Sequence, residues 1–287
     1  MKQYRITKIL NNNVIICTQN DRELVLIGKR IGFNKKPGSP FNDGDLIEKT
    51  YVLEQKAQQD HYKALVAQTD DTVIQAIIEA VDIIANATFK IHNPNLVVAL
   101  TDHITFAYQR LKRSQLITNP FIVETKQLYH EAYHIAEKVI EQLNRKLDVT
   151  FPEDEIGFIA LHIASNLESF TIYEMKQINR LIQQSRVMIE KSLNITIETE
   201  SLHYQRFIRH IQFLIRRLNQ GEKIHTSQDF ETTIKSHYPI CYDIASKVTL
   251  MLQQALNIPI YRAEVVHLTL HIYHFLDAPR ELKYECH

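Results

Sequence analysis

The chain has 287 residues, 45% of them hydrophobic and 23% charged, which exceeds one typical core and excludes a disordered composition. Lys plus Arg equals Asp plus Glu at 33 each, so no global field draws the whole molecule to nucleic acid or to a membrane surface. The three cysteines, Cys17, Cys241 and Cys286, are too few and too scattered for a disulfide framework and fit a reducing cytoplasm. No apolar run reaches the length of a membrane span, and the N-terminal MKQYRITKIL lacks a signal-peptide core.

Four of the six glycines, Gly28, Gly32, Gly38 and Gly44, lie in the first 44 residues, among short β-branched runs. The pattern predicts strands at 4–10, 14–18, 23–28 and 46–53, with turns at Asn11-Asn12-Asn13 and Asn20-Asp21 and a longer connection through Pro37-Gly38 and Asp43-Gly44. Such an antiparallel meander is too small to bury both faces by itself, so it should dimerise or dock. Residues 1–55 hold nine Lys/Arg against six Asp/Glu, which makes this segment locally basic and leaves the remainder net acidic by three. Residues 54–68, EQKAQQDHYKALVAQ, are polar and lack Gly and Pro, as a helical or semi-rigid connector would.

From there the helical period dominates. Leu128, Ala132, Ile135, Val139, Leu143 and Leu147 form one apolar stripe, and Thr150, Pro152 and three acids open the next helix. The C-terminal two thirds are written twice. DHITFAYQRL from Asp102 returns as RHIQFLIRRL from Arg209, an offset of 107, and EIGFIALHI from Glu155 returns as EVVHLTLHI from Glu264, an offset of 109. The fold class is therefore multidomain α and β, with domains expected at 1–58, 68–171 and 172–284, the last two being homologous all-α bundles.

Each repeat carries two matched histidines, His103 and His162 in the first, His210 and His271 in the second. His is titratable and seldom required for packing, so duplicated placement points to duplicated chemistry. Arg110 and Arg217 each follow their His by seven residues, and Glu155 and Glu264 each precede theirs by seven, a spacing that returns to nearly the same helix face. A phosphorylated imidazole would attract such a guanidinium and be repelled by such a carboxylate. His267 and His274 flank His271 without counterparts in the first copy.

A competing reading is a zinc peptidase. His130 to His134 spells HEAYH, an H-E-x-x-H match, with Glu155 as a conceivable third ligand. The repeat weakens it, because the aligned residues of the second copy are Pro239, Ile240 and Asp243. No metal and no cofactor is expected.

KILNNNVIICT (8–18) and ELVLIGKRIGFNKKPG (23–38), together with the paired D/R-H-I and L-H-I motifs, closely resemble the BglG/SacY/LicT family of transcription antiterminators, in its glucose-responsive branch. The resemblance covers essentially the whole chain. It implies an RNA-binding N-terminal domain, followed by two regulation domains of the sugar phosphotransferase system (PTS), in a homodimer. It also implies that the protein holds an mRNA antiterminator hairpin and so prevents terminator formation ahead of sugar-uptake genes. The RNA contacts map onto Asn13, Gly28, Lys29 and Phe33, chemistry suited to base edges, phosphate and stacking, and Arg30 adds a further candidate contact to phosphate. The family commonly has Gly where this chain has Arg30 and Arg where it has Lys29. The four matched histidines correspond to phosphate acceptors served by a sugar-specific enzyme II in the first repeat and by HPr in the second. The resemblance implies neither enzymatic activity nor binding to DNA.

Overall fold

The computed structural model describes residues 4–10, 12–19, 22–28, 30–42, 46–47, 49–52, 64–66, 68–88, 95–167 and 170–277. The strands are β1 (Tyr4–Ile9), β2 (Val14–Gln19), β3 (Arg22–Ile27), β4 (Pro40–Phe41) and β5 (Lys49–Val52), all antiparallel, in the order β4-β1-β2-β3-β5. The first three match the sequence expectation to within about a residue. The two-residue β4 was anticipated only as part of a connection, and it extends the sheet beyond β1 through Tyr4↔Phe41.

Tyr4, Ile6, Ile15, Cys17, Leu24, Leu26, Ile31 and Phe41 form one core cluster. Strand alternation sends Val14, Ile16, Val25 and Ile27 to the opposite face, and these are also buried within the single chain. The sheet therefore has both faces covered without a second molecule. Burial pushes the Cys17 thiol up to about 12, so it behaves as a small apolar side chain. Most of the polar connector 54–68, together with Cys286, lies outside the described residues.

Ten helices follow among the described residues: α1 (Asp71–Thr88), α2 (Asn95–Lys112), α3 (Ile122–Leu128), α4 (His130–Lys146), α5 (Glu153–Leu167), α6 (Ile172–Leu193), α7 (Leu202–Asn219), α8 (Gln228–His237), α9 (Pro239–Leu256) and α10 (Arg262–Asp277). Five belong to each sequence repeat. They gather into two compact units, the sheet with α1, α2, α4 and α5 forming one, and α3 with α6 to α10 the other. Helix α3 thus packs with helices of the second repeat, where Tyr204 donates to Glu124 at 2.8 Å and Asn179 donates to Thr125 at 2.9 Å.

Local sequence sets the helix ends. Thr171 and Glu174 form a reciprocal cap at the start of α6, and Ser201 and Ser227 cap α7 and α8. Asn194 and Asn257 end α6 and α9 in the left-handed conformation. The stripe from Leu128 to Leu147 is buried throughout, yet it is not one helix, because the backbone breaks at Tyr129 (φ −120°, ψ 45°). An equivalent break occurs 109 residues later at Tyr238 (φ −127°, ψ 55°). No described helix is long and apolar enough to cross a membrane.

Candidate functional site: a loop cluster and two histidine quartets

The first cluster sits where the β1–β2 turn meets the loop after β3. Gly28 N–H donates to the Asn13 carbonyl at 3.0 Å, Gly32 N–H donates to the Asn12 carbonyl at 2.9 Å, and the Asn13 side chain accepts from Arg30 N–H at 3.0 Å. Arg30 occupies the left-handed region with φ 61°, the backbone a glycine would adopt without strain. Holding a residue with a Cβ in that conformation costs roughly 1–2 kcal/mol. The Asn13 bond and the Arg30 guanidinium, 4.4 Å above the Phe33 ring centroid, offset part of it. Phe33 is 45% exposed, unusual for an aromatic in so small a domain. Asn13, Arg30 and Phe33 are thus brought together at the surface, with Gly28 buried and hydrogen-bonded to Asn13, while Lys29 lies outside the described residues.

The second cluster joins α2 to α5. Glu155, in the first turn of α5 and 1% exposed, presents one carboxylate oxygen to the guanidinium of Arg110 and the other to His103 Nε2 at 2.9 Å. His162, two turns further along α5, has its ring centroid 5.2 Å from that of His103, and Phe158 lies at 5.9 Å. Local sequence holds α5 in this place. The acids of its first turn favour the positive end of the helix dipole, and the Asn144 side chain clasps the backbone of Phe151 through a 2.7 Å and a 3.3 Å bond. Phe106, one turn from His103, is 62% exposed beside Arg110.

The third cluster joins α7 to α10 and repeats the second with two changes. Arg217 donates to both oxygens of the buried Glu264, at 2.7 to 3.2 Å, and His210 Nε2 stands off at 3.7 Å, too far for a hydrogen bond. The ring centroids of His210 and His271 are 4.7 Å apart, and His267 replaces Phe158 at 6.3 Å from His210. Burial, then the charges of His271, Arg217 and His267, lowers the His210 pKa to about 3, and burial with His274, His267 and Arg206 lowers that of His271 to about 4. Gln253 accepts from Ile260 N–H at 3.2 Å, the counterpart of the Asn144 clasp.

The matched histidines are adjacent in space within each repeat. His103 and Arg110 lie on one face of α2, as their seven-residue spacing implies, and both reach across to Glu155 of α5 rather than to each other. The available signal is that an Arg and a Glu recur at matched places in both repeats, and burial tolerates such charges best as a pair. Among the described residues no group of three or more His, Cys, Asp or Glu side chains could hold a metal ion, the HEAYH segment included. There His134 makes an exposed 3.0 Å contact with Glu137.

A sequence model of the PRD domain matches residues 75–166 and 183–275, and one of the CAT RNA binding domain matches residues 4–60. The Protein GlcT of Staphylococcus saprophyticus subsp. saprophyticus is 58% identical over 277 residues, 96% of this chain and 99% of its own. The Protein GlcT of Staphylococcus aureus is 55% identical over 276 residues, 96% of this chain and 98% of its own. A solved structure described as the crystal structure of GlcT CAT-PRDI aligns at TM-score 0.52 and 40% identity, covering 57% of this chain and 98% of that one.

The chain belongs to the GlcT antiterminator family. As a GlcT-type protein it is a regulatory RNA-binding protein and not an enzyme, with a CAT domain bearing the loop cluster and two PRD domains each bearing one histidine quartet.

Proposed function

We propose that this chain acts in the cytoplasm as a homodimer that holds an antiterminator hairpin in nascent mRNA ahead of glucose phosphotransferase-system genes, so that transcription continues through a terminator. Its domains would span 1–58, 68–171 and 172–284. Asn13, Gly28, Lys29, Arg30 and Phe33 form the RNA-contacting set, in which the exposed Phe33 ring stacks on an unpaired base and Lys29 and Arg30 meet phosphate. His103 and His162 accept phosphate from an enzyme II, His210 and His271 from HPr. Arg110 and Arg217, on the helices of His103 and His210, are the cations that would meet the added charge. Neither DNA, metal, cofactor nor membrane insertion belongs to this reading.

The observation that carries the regulatory half is the quartet itself, two histidines in ring contact with a buried Glu–Arg pair, built twice from different helices. Phosphate adds about −1.5 to −2 charge at such a place, which a dimer interface beside the exposed Phe106 would feel as repulsion across its two-fold axis. The test is phosphotransfer from phosphoenolpyruvate through enzyme I, HPr and enzyme II, with mapping of acid-labile phosphate and measurement of dimer mass and hairpin affinity. His103→Asp should lower antitermination and His103→Ala should preserve it without glucose transport. Phe33→Ala should weaken hairpin binding by about 1–3 kcal/mol. Phosphate that never reaches the four histidines would sink the regulatory reading, and unchanged hairpin affinity in Phe33→Ala would remove that ring from the RNA surface.

A further inference from the structure

The carboxylate of Glu155 is shared in a way that dictates where a proton sits. One oxygen accepts from the Arg110 guanidinium, which is always cationic, so the buried carboxylate is held as an anion and can only accept. Its other oxygen lies 2.9 Å from His103 Nε2. A hydrogen bond at that distance to an acceptor-only group needs a proton on Nε2. In the neutral ring the lone pair is then on Nδ1, an atom with no protein hydrogen bond among the described residues. The His103 side chain is 21% exposed, so the ring is open to an approaching reactant.

We infer that Glu155 is a positioning residue that fixes His103 as its Nε2–H tautomer, so that phosphate is accepted on Nδ1. The inference rests on the reading of His103 as a phosphate acceptor and adds the atom and the residue that selects it. The Nδ1 lone pair forms the new P–N bond while the bond from phosphorus to the donor atom breaks, its electron pair staying on the donor atom of the protein that leaves without its phosphoryl group. The Nε2 proton stays in place between ring and carboxylate. The ring becomes a phosphorylated imidazolium, and Glu155, already anionic and oriented, balances its positive charge without any proton having to leave. In the second repeat Arg217 takes both oxygens of Glu264, and His210 Nε2 at 3.7 Å has no such lock.

The substitution Glu155→Gln makes a specific prediction, because an amide has one accepting oxygen where the carboxylate has two. Arg110 can only donate and claims that oxygen, which turns the NH2 toward His103 Nε2 and forces Nε2 to accept. The tautomer should therefore flip to Nδ1–H, with similar shape and volume. The experiment is nitrogen-15 NMR of the histidine rings in the full-length chain, unphosphorylated and then phosphorylated through the purified phosphotransferase proteins. Wild type should show a protonated-type Nε2 on His103 and, after transfer, an Nδ1-linked phosphate. Glu155→Gln should show the opposite tautomer and transfer slowed by roughly 10²-fold, the lower end of what a positioned acid or base contributes.

A wild-type ring protonated on Nδ1, or phosphate linked through Nε2 of His103, would overturn this inference while leaving His103 an acceptor. Phosphate absent from His103 in wild type would remove the acceptor assignment and this inference together. The wild-type spectra decide the matter even where Glu155→Gln fails to fold, and a folded Gln variant with unchanged tautomer and rate would also overturn it.

Discussion

The two histidine quartets have the same four residue types on corresponding helices, yet they differ in whom the glutamate serves. In the first, Glu155 divides its oxygens between Arg110 and His103, and in the second, Glu264 gives both to Arg217 and leaves His210 buried without a hydrogen bond to Nε2. A shift of the carboxylate by less than an ångström therefore separates a histidine that is hydrogen-bonded and oriented from one that is merely enclosed. Duplicated sequence preserves which residues meet, while the finer partition of one carboxylate decides what each histidine can do.

The comparison is tested most severely by removing the arginines. Arg110 is 9% exposed and its partner 1%, so Arg110→Ala strands an unpaired buried charge and should cost about 3–5 kcal/mol in chemical denaturation. Arg217 is 24% exposed and water reaches its site more readily, so Arg217→Ala should cost about 1–3 kcal/mol. Equal losses would mean that the two pairs are equally desolvated, against their exposures.

Acidification should act next, and on the second quartet. The folded pKa values of His210 and His271, about 3 and about 4, lie below the ordinary value of 6.5, so the unfolded chain binds more protons than the folded one between those limits. Stability from these groups is fully present above about pH 6.5 and is lost as pH falls toward 4, by up to about 1.4 kcal/mol per pH unit for each histidine. Hydrogen exchange of α7 and α10 between pH 7 and pH 5, corrected for intrinsic rates, should show this loss, and His210→Gln should reduce it. Protection that stays level in wild type would mean that His210 is neither buried nor depressed.

The smallest effect should come from exchanging the flanking ring that differs beside the two quartets. His267 is the last of four causes lowering the His210 pKa, so His267→Phe, which restores the residue type of Phe158, should move the His210 titration slightly upward. A downward movement in NMR titration would show that His267 assists protonation of His210.

Periodicity and duplication made much of this architecture legible. Alternating apolar residues marked the first three strands, and two offsets in the sequence located all four histidines, because a repeated titratable side chain in a repeated core is hard to explain by packing. The breaks at Tyr129 and Tyr238 were hidden, since the buried stripe from Leu128 to Leu147 runs through the first without interruption and an apolar pattern records burial, not backbone continuity. The pairing of Arg110 with Glu155 was hidden for a different reason. Seven-residue spacing reports a shared face of one helix, whereas this contact is made between helices 45 positions apart and depends on how α2 meets α5. Arg30 is a third case: sequence marks a residue unsuited to positive φ, and only the neighbouring Asn13 and Phe33 explain how it is held there.

Enclosure of His210 also sets a tempo. On the proposed reading of His210 as a phosphate acceptor, a donor protein would need a local opening of the helices around a side chain that is 13% exposed, so the transfer rate would be the product of an opening equilibrium and the rate of the open form. Each 1.4 kcal/mol spent on opening slows that product about tenfold. His103, at 21% exposure, carries less of this delay. When both donors are present, the first repeat should respond early and the second should integrate over a longer interval, giving one chain a fast and a slow register of the same phosphate supply.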